Sequence, residues 1–174
     1  MRLFFAINFS EREKDILLKN IAALKGMCSR GNFTSRENLH LTLAFLGEVD
    51  NAELETIRAA AESVRALPFE IETGGAGMFG SIAWLGVAKG KEELSRLAGA
   101  LRGECDRAGV GYDKKPFSPH LTICRETKFL SGNDIAAFEE KTVSMKKTVS
   151  SFELMESTRT GGKLVYKKIF SKKF

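Results

Sequence analysis

Apolar residues recur along the chain with two alternating periods, and each change of period marks a new element. Residues 2–9 run almost continuously apolar and predict a buried strand. Ser10 with Glu13 three positions on forms a capping box, and Leu17, Leu18, Ile21 and Leu24 follow at helical spacing, a helix that Gly31 should end. Past the turn-like Thr34–Asn38, Leu39 to Leu46 reads as a strand stopped by Gly47. Asp50 and Glu53 then cap a helix carrying Leu54, Ile57, Ala61 and Val64, closed off by Pro68. Strands are expected at about Phe69–Thr73 and Ile82–Ala88. The intervening Gly75-Ala76-Gly77-Met78-Phe79-Gly80 matches G-x-G-x-x-G in form only, because a strand rather than a helix follows it. It is read as a hairpin connection. A helix over about Lys91–Ala108 precedes a strand that should begin at His120, since Pro116 and Pro119 suit only a strand's start or edge. Ser131 is expected to cap a short helix with Ile135 and Phe138. Two closing strands, about Val149–Ser157 and Lys163–Phe170, are joined through Thr160-Gly161-Gly162.

Within this order one phrase occurs twice. His40-Leu41-Thr42-Leu43 and His120-Leu121-Thr122-Ile123 sit 80 residues apart and contain both histidines of the chain. In a strand, side chains two apart share a face, so each phrase offers His and Thr on one side and two aliphatic residues on the other. A single such strand would be an ordinary half-buried His beside a β-favouring Thr. The duplication, holding every histidine, makes a shared site the better reading. The elements around the two phrases echo each other. The expected fold is α+β: two pseudo-two-fold related lobes of one domain spanning 1–174, with antiparallel sheets facing a central cleft and helices outside.

Two imidazoles and two hydroxyls around one cavity suit phosphate chemistry. Imidazole titrates near neutrality, so one ring can act as base while the other acts as acid, and threonine hydroxyls can donate to phosphate oxygens. The 174 residues, 43% hydrophobic and 28% charged, are ordinary for a globular protein. No apolar run is long enough to span a membrane. The apolar N-terminal stretch is broken by Asn8 and lacks a small-residue cleavage site, so it is taken as a strand and not a signal peptide. Cys28, Cys105 and Cys124 are odd in number and form no C-x-x-C pair, which favours reduced thiols in a cytoplasmic protein. A zinc site from the His and Cys residues lacks ligand spacing, and no metal or cofactor is expected. The net charge of +5 favours an anionic partner.

The flanks of the two phrases narrow the reading. Glu37-Asn38-Leu39-His40-Leu41-Thr42-Leu43-Ala44-Phe45-Leu46-Gly47 and Pro116-Phe117-Ser118-Pro119-His120-Leu121-Thr122-Ile123-Cys124-Arg125 resemble the paired H-x-T-hydrophobic motifs of the 2H phosphoesterase family, in its RNA 2′,3′-cyclic phosphodiesterase (2′-5′ RNA ligase) group. Trp84-Leu85-Gly86-Val87 and the ending from Glu156-Ser157 through Gly161-Gly162 to Tyr166 extend the likeness over nearly the whole chain. Phe33 stands where that group commonly has tryptophan, and Ser118 where it often has arginine. The resemblance implies a bilobal fold and metal-independent opening of a 2′,3′-cyclic phosphate at an RNA end to a 2′-phosphate.

On this reading His40 and His120 are the catalytic pair, and Thr42 and Thr122 bind the phosphate. Arg125 is the cation for charge growing on the phosphoryl oxygens. It lies five residues after His120, so strict alternation would turn it away from the cleft unless the strand bends near Cys124. The matching position in the first phrase is Phe45. With the guanidinium in the second half, His120 is assigned as base and His40 as acid to the leaving O3′. Phe117 is a candidate stacking platform for the terminal base. A monomer acting on RNA ends is expected. The competing readings are another small cyclic nucleotide or a 2′-5′ linkage as substrate, ligation as the reverse reaction, or a non-catalytic RNA-end binding module.

Overall fold

The computed structural model describes residues 1–174. Its nine strands fall into two antiparallel sheets. The first takes β3 (His40–Glu48), β1 (Arg2–Asn8), β8 (Ser151–Thr160) and β9 (Lys163–Lys173) in that spatial order. The second takes β2 (Cys28–Phe33), β6 (His120–Phe129), β5 (Ile82–Lys89), β4 (Phe69–Phe79) and β7 (Lys146–Val149). Four helices complete the chain: α1 (Glu11–Met27), α2 (Leu54–Ser63), α3 (Lys91–Arg107) and α4 (Ile135–Glu139). The units β1-α1-β3-α2 and β5-α3-β6-α4 correspond. After the first unit β4 crosses to the second sheet beside β5; after the second unit β7 stays in that sheet beside β4, and β8 then crosses to the first sheet beside β1. This exchange ties the lobes together, and a single core cluster of 35 buried residues draws on both sheets and all four helices.

The capping box at Ser10 and Glu13 is formed as the sequence suggests, each side chain bonding the other residue's backbone N–H. The first helix is shorter than expected. It ends at Met27, and Cys28–Phe33 forms the strand β2 along the edge of β6. A polar run such as Ser29-Arg30-Gly31-Asn32 shows no apolar alternation, so only the unpaired edge of β6 makes it a strand. Gly31 is required there, because a Cβ would lie 2.5 Å from the Cys124 sulfur.

Three further expectations change. The glycine-rich stretch belongs to β4 itself, and the hairpin turns on Gly80-Ser81. Gly77 lets the Trp84 indole lie directly on the backbone, where a Cβ would come within 2.1 Å of the ring. The cap of α4 is Asp134, whose carboxylate accepts from Ala137 N at 2.8 Å, in place of Ser131. The closing segment splits into β7, ending at Val149, and β8, starting at Ser151. β7 was missed because Lys146-Lys147-Thr148 is polar and short, and it becomes a strand by pairing with the free edge of β4.

Candidate active site

His40 opens β3 and His120 opens β6, the one strand an edge of its sheet and the other next to an edge. Leu41, Leu43, Leu121 and Ile123 are fully buried behind them. Burying four such side chains, at about 1.5–3 kcal/mol each, fixes which face the histidines present, since a slip of one residue would put the aliphatic side chains into the cleft. In both strands the alternation then breaks at the same point. Leu43 is an extra residue against β1, between Thr42 (opposite Ala6) and Ala44 (opposite Phe5). Ile123 is an extra residue against β5, between Thr122 (opposite Trp84) and Cys124 (opposite Ala83). These twin β-bulges bring two consecutive buried residues and then return the next side chain to the cleft. Phe45 and Arg125 are those side chains. This is the bend that Arg125 requires, and it resolves the parity mismatch in the sequence.

The two imidazoles are held alike. Nδ1 of His40 lies 2.7 Å from the Asn38 carbonyl oxygen, and Nδ1 of His120 lies 2.7 Å from the Ser118 carbonyl oxygen, each two residues back. A carbonyl accepts only, so each Nδ1 carries the proton and each Nε2 is left as the functional nitrogen. Asn38 is anchored in turn: its side-chain amide donates to Leu164 O at 2.9 Å and accepts from Tyr166 N at 3.3 Å. Thr34, whose hydroxyl donates to Thr122 O at 2.9 Å, secures the other phrase.

Three contiguous cavities form the cleft. Those of about 500 and 590 Å³ are lined by His40 and Arg125, the first with Thr42 and the second with Thr122. A third, of about 570 Å³, is lined by His120 with Thr42. Each histidine thus shares a cavity with the threonine of the opposite phrase. Arg125 shares its cavities with His40 and with neither Phe117 nor His120. Phe117 is half-buried against the core beneath the Arg102 guanidinium, 5.8 Å from ring centre to cation, and lines the His120 cavity.

The surroundings of the two rings include four aromatics to which the sequence reading assigned no place in the site, although Trp84 and Tyr166 lie in the segments that carry the family likeness. His40, Phe4 and Tyr166 form a three-ring cluster: His40 is 5.0 Å from each of the other two between ring centres, and Phe4 and Tyr166 touch edge-on at 4.9 Å. Phe79 meets His120 edge-on at 5.1 Å, with Trp84 behind it at 6.3 Å. Tyr166 and Phe4 reach His40 only through the pairing of β9, β8, β1 and β3, which local periodicity does not encode. Phe79 and Trp84 face one another across the β4–β5 hairpin, and their aromatic character in a strand context was the available signal.

Although His40 keeps some contact with solvent, burial between the sheets lowers its pKa from the usual 6.5 to about 4. The neighbouring charges of Arg125 and His120 act in the same direction, against the bond to the Asn38 carbonyl. The ring is therefore neutral near pH 7, and its Nε2 accepts from the Thr42 hydroxyl at 3.0 Å. Burial also raises the Tyr166 pKa, opposed by Arg125 and Arg2, so its hydroxyl stays protonated. No three His, Cys, Asp or Glu side chains are grouped so as to hold a metal ion, and no helix is long and apolar enough to cross a membrane.

Comparison with known proteins points to one family and one fold. The 2′-5′ RNA ligase superfamily matches residues 17–160. An RNA 2′,3′-cyclic phosphodiesterase of Thermotoga maritima is 30% identical over 181 aligned positions, covering 100% of this chain and 96% of that protein. The enzyme of the same name from Escherichia coli K12 is 32% identical over 127 positions, 72% of each chain. Among solved structures, one described as a phosphoesterase superposes with a TM-score of 0.81 at 27% identity, covering 99% of this chain and 97% of the other. E. coli LigT complexed with 3′-AMP does so with a TM-score of 0.79 at 26% identity, covering 99% and 96%.

Proposed function

The chain belongs to the 2′-5′ RNA ligase superfamily, and on that premise we propose that its cleft hydrolyses 2′,3′-cyclic phosphates at RNA ends to 2′-phosphomonoesters. The observation that carries this reading is the crossed arrangement of the two phrases. Two Nδ1-protonated imidazoles keep Nε2 as the functional nitrogen, and each ring lines a cavity together with the other phrase's threonine. An end-binding module would need the hydroxyls and the arginine, but no pair of proton-transfer groups.

In the reaction, water attacks phosphorus as the P–O3′ bond breaks. His120 Nε2 takes the water proton, and His40 Nε2–H supplies a proton to O3′ as it leaves. Thr42 and Thr122 donate to the non-bridging oxygens, and the Arg125 guanidinium offsets the charge that grows on them in the transition state. The acid role requires His40 to be protonated in the complex. An anionic phosphate beside His40 and Arg125 favours this by countering the cation that depresses the imidazole. Protonation also turns the His40–Thr42 bond around: Nε2–H no longer accepts, and the Thr42 hydroxyl is released toward the phosphate. With the 5′-hydroxyl of a second RNA end acting on a 2′,3′-cyclic phosphate in place of water, the same groups would form a 2′-5′ linkage. Both phrases come from one chain, so the site needs no second copy, and no step calls on a metal or cofactor.

The low pKa of His40 favours one alternative, in which neutral His40 is the base and His120 the acid. An activated aryl phosphodiester, whose leaving group needs no proton, separates the two. His40→Ala should lose little on it if His40 is the acid, and should stay severely impaired if it is the base. The primary test is incubation with an oligonucleotide bearing a 2′,3′-cyclic phosphate in the presence of chelator. The expected product is the 2′-phosphate; a 3′-phosphate, or no turnover, overturns the proposal.

A further inference from the structure

The arginines divide sharply by location. The five that pair with a carboxylate, Arg30, Arg36, Arg58, Arg96 and Arg107, all lie outside the cleft. Of the six that pair with none, four line it: Arg2, Arg102, Arg125 and Arg159. An arginine near carboxylates on a protein surface ordinarily finds one, and guanidinium groups left unpaired around a concave surface create a positive potential that an anionic ligand can satisfy.

Arg125 is accounted for by the reacting phosphate. Arg159 is not. It sits at the end of β8 beside the β8–β9 turn and lines the same two cavities as His40 and Arg125. The only hydrogen bond of its side chain is a weak one to the Gly162 carbonyl at 3.3 Å. Arg2 lines the first of those cavities with its guanidinium 5.0 Å from the Phe45 ring centre, a stacking contact that leaves its N–H groups free. Glu48 and Glu156 also line that cavity and Glu37 the second, yet none lies within ion-pair distance of either arginine. One reacting phosphate cannot use three guanidinium groups together with two threonines and two histidines.

We propose that Arg159 and Arg2 form a second anion subsite, which receives the internucleotide phosphodiester adjoining the reacting cyclic phosphate. The proposal rests on the reading of the cleft as a cyclic phosphodiesterase and names its substrate class: oligonucleotide ends of two or more residues, in preference to mononucleoside cyclic phosphates. The strand then runs from the histidine pair past His40 toward the β8–β9 turn.

The test uses a dinucleotide ending in a 2′,3′-cyclic phosphate, made with either a normal phosphodiester or a neutral methylphosphonate between its two nucleosides. The bases and the reacting group are the same in both. Wild-type kcat/KM should favour the charged linkage by about tenfold, the scale of one charge-assisted hydrogen bond at a partly exposed site. In Arg159→Ala the ratio should fall toward one, and Arg2→Ala should reduce it in part. A wild-type ratio near one, or an undiminished ratio in the Arg159→Ala/Arg2→Ala protein, overturns the subsite. The mononucleoside 2′,3′-cyclic phosphate is the control for the underlying chemistry. Should the wild type open none of the three substrates, the catalytic reading fails. Equilibrium binding of the dinucleotide 2′-phosphate, with charged and neutral linkages, then decides the subsite by the same ratio.

Discussion

The His40 imidazole should titrate far below the ordinary histidine range in the unliganded protein. Moving its pKa from 6.5 to about 4 corresponds to roughly 3 kcal/mol of preference for the neutral ring in the folded state. Burial is the larger cause and the Arg125 and His120 charges are the smaller ones, so Arg125→Ala should raise the midpoint without restoring it to 6.5. The sign for stability follows from linkage. Between pH 6.5 and 4 the unfolded chain binds a proton at this site that the folded chain refuses. This contribution is fully present above 6.5, declines as the pH falls, and is lost once it passes about 4. The chain has only two histidines, so the experiment is an NMR titration of two Cε1–H signals, assigned with His120→Ala. Adding inorganic phosphate should shift the His40 midpoint upward, since an anion in the cleft favours the imidazolium. A His40 midpoint at or above 6.5 without ligand would refute the desolvated placement. No response to phosphate would refute proton uptake on binding, and with it the acid role.

Three other outcomes follow from particular contacts. Thr42→Val removes the hydroxyl that reaches His40 Nε2 at 3.0 Å while keeping the shape; kcat/KM should fall by the equivalent of about 1–3 kcal/mol, and unchanged kinetics would make the hydroxyl merely structural. Gly77→Ala places a methyl group against the Trp84 ring and should destabilise the fold by about 1–3 kcal/mol in urea unfolding, with loss of activity as Trp84 and Phe79 shift beside His120. Glu126 directly follows Arg125 and holds a left-handed backbone at φ 53°. Glu126→Val should therefore lower stability by about 1–2 kcal/mol, whereas Glu126→Gly should be tolerated far better; equal thermal midpoints for the two would refute strain at that residue.

The sequence by itself determined those features whose causes are local. Strand faces follow from alternation, so His40 with Thr42, and His120 with Thr122, had to share a side once their aliphatic neighbours were buried. The capping box at Ser10, the helices at Leu54 and Lys91, and the relation between the two halves were legible for the same reason. Tertiary structure decided whatever depends on partners distant in the chain. Cys28–Phe33 and Lys146–Val149 are strands because β6 and β4 offer unpaired edges, an opportunity that their own polar sequences do not announce. The side of the strand on which Arg125 emerges is set by the bulge at Ile123, which exists only in register with β5. The sequence offered a clue in the parity mismatch but could not say how it was resolved. Proximity in the chain likewise associated Arg125 with His120, whereas the fold sets it in the cavities of His40, because the two strands face each other across the cleft. The low pKa of His40 and its contacts with Phe4 and Tyr166 have the same origin: desolvation and ring contacts arise from elements up to 162 residues apart in sequence, and no local pattern carries them.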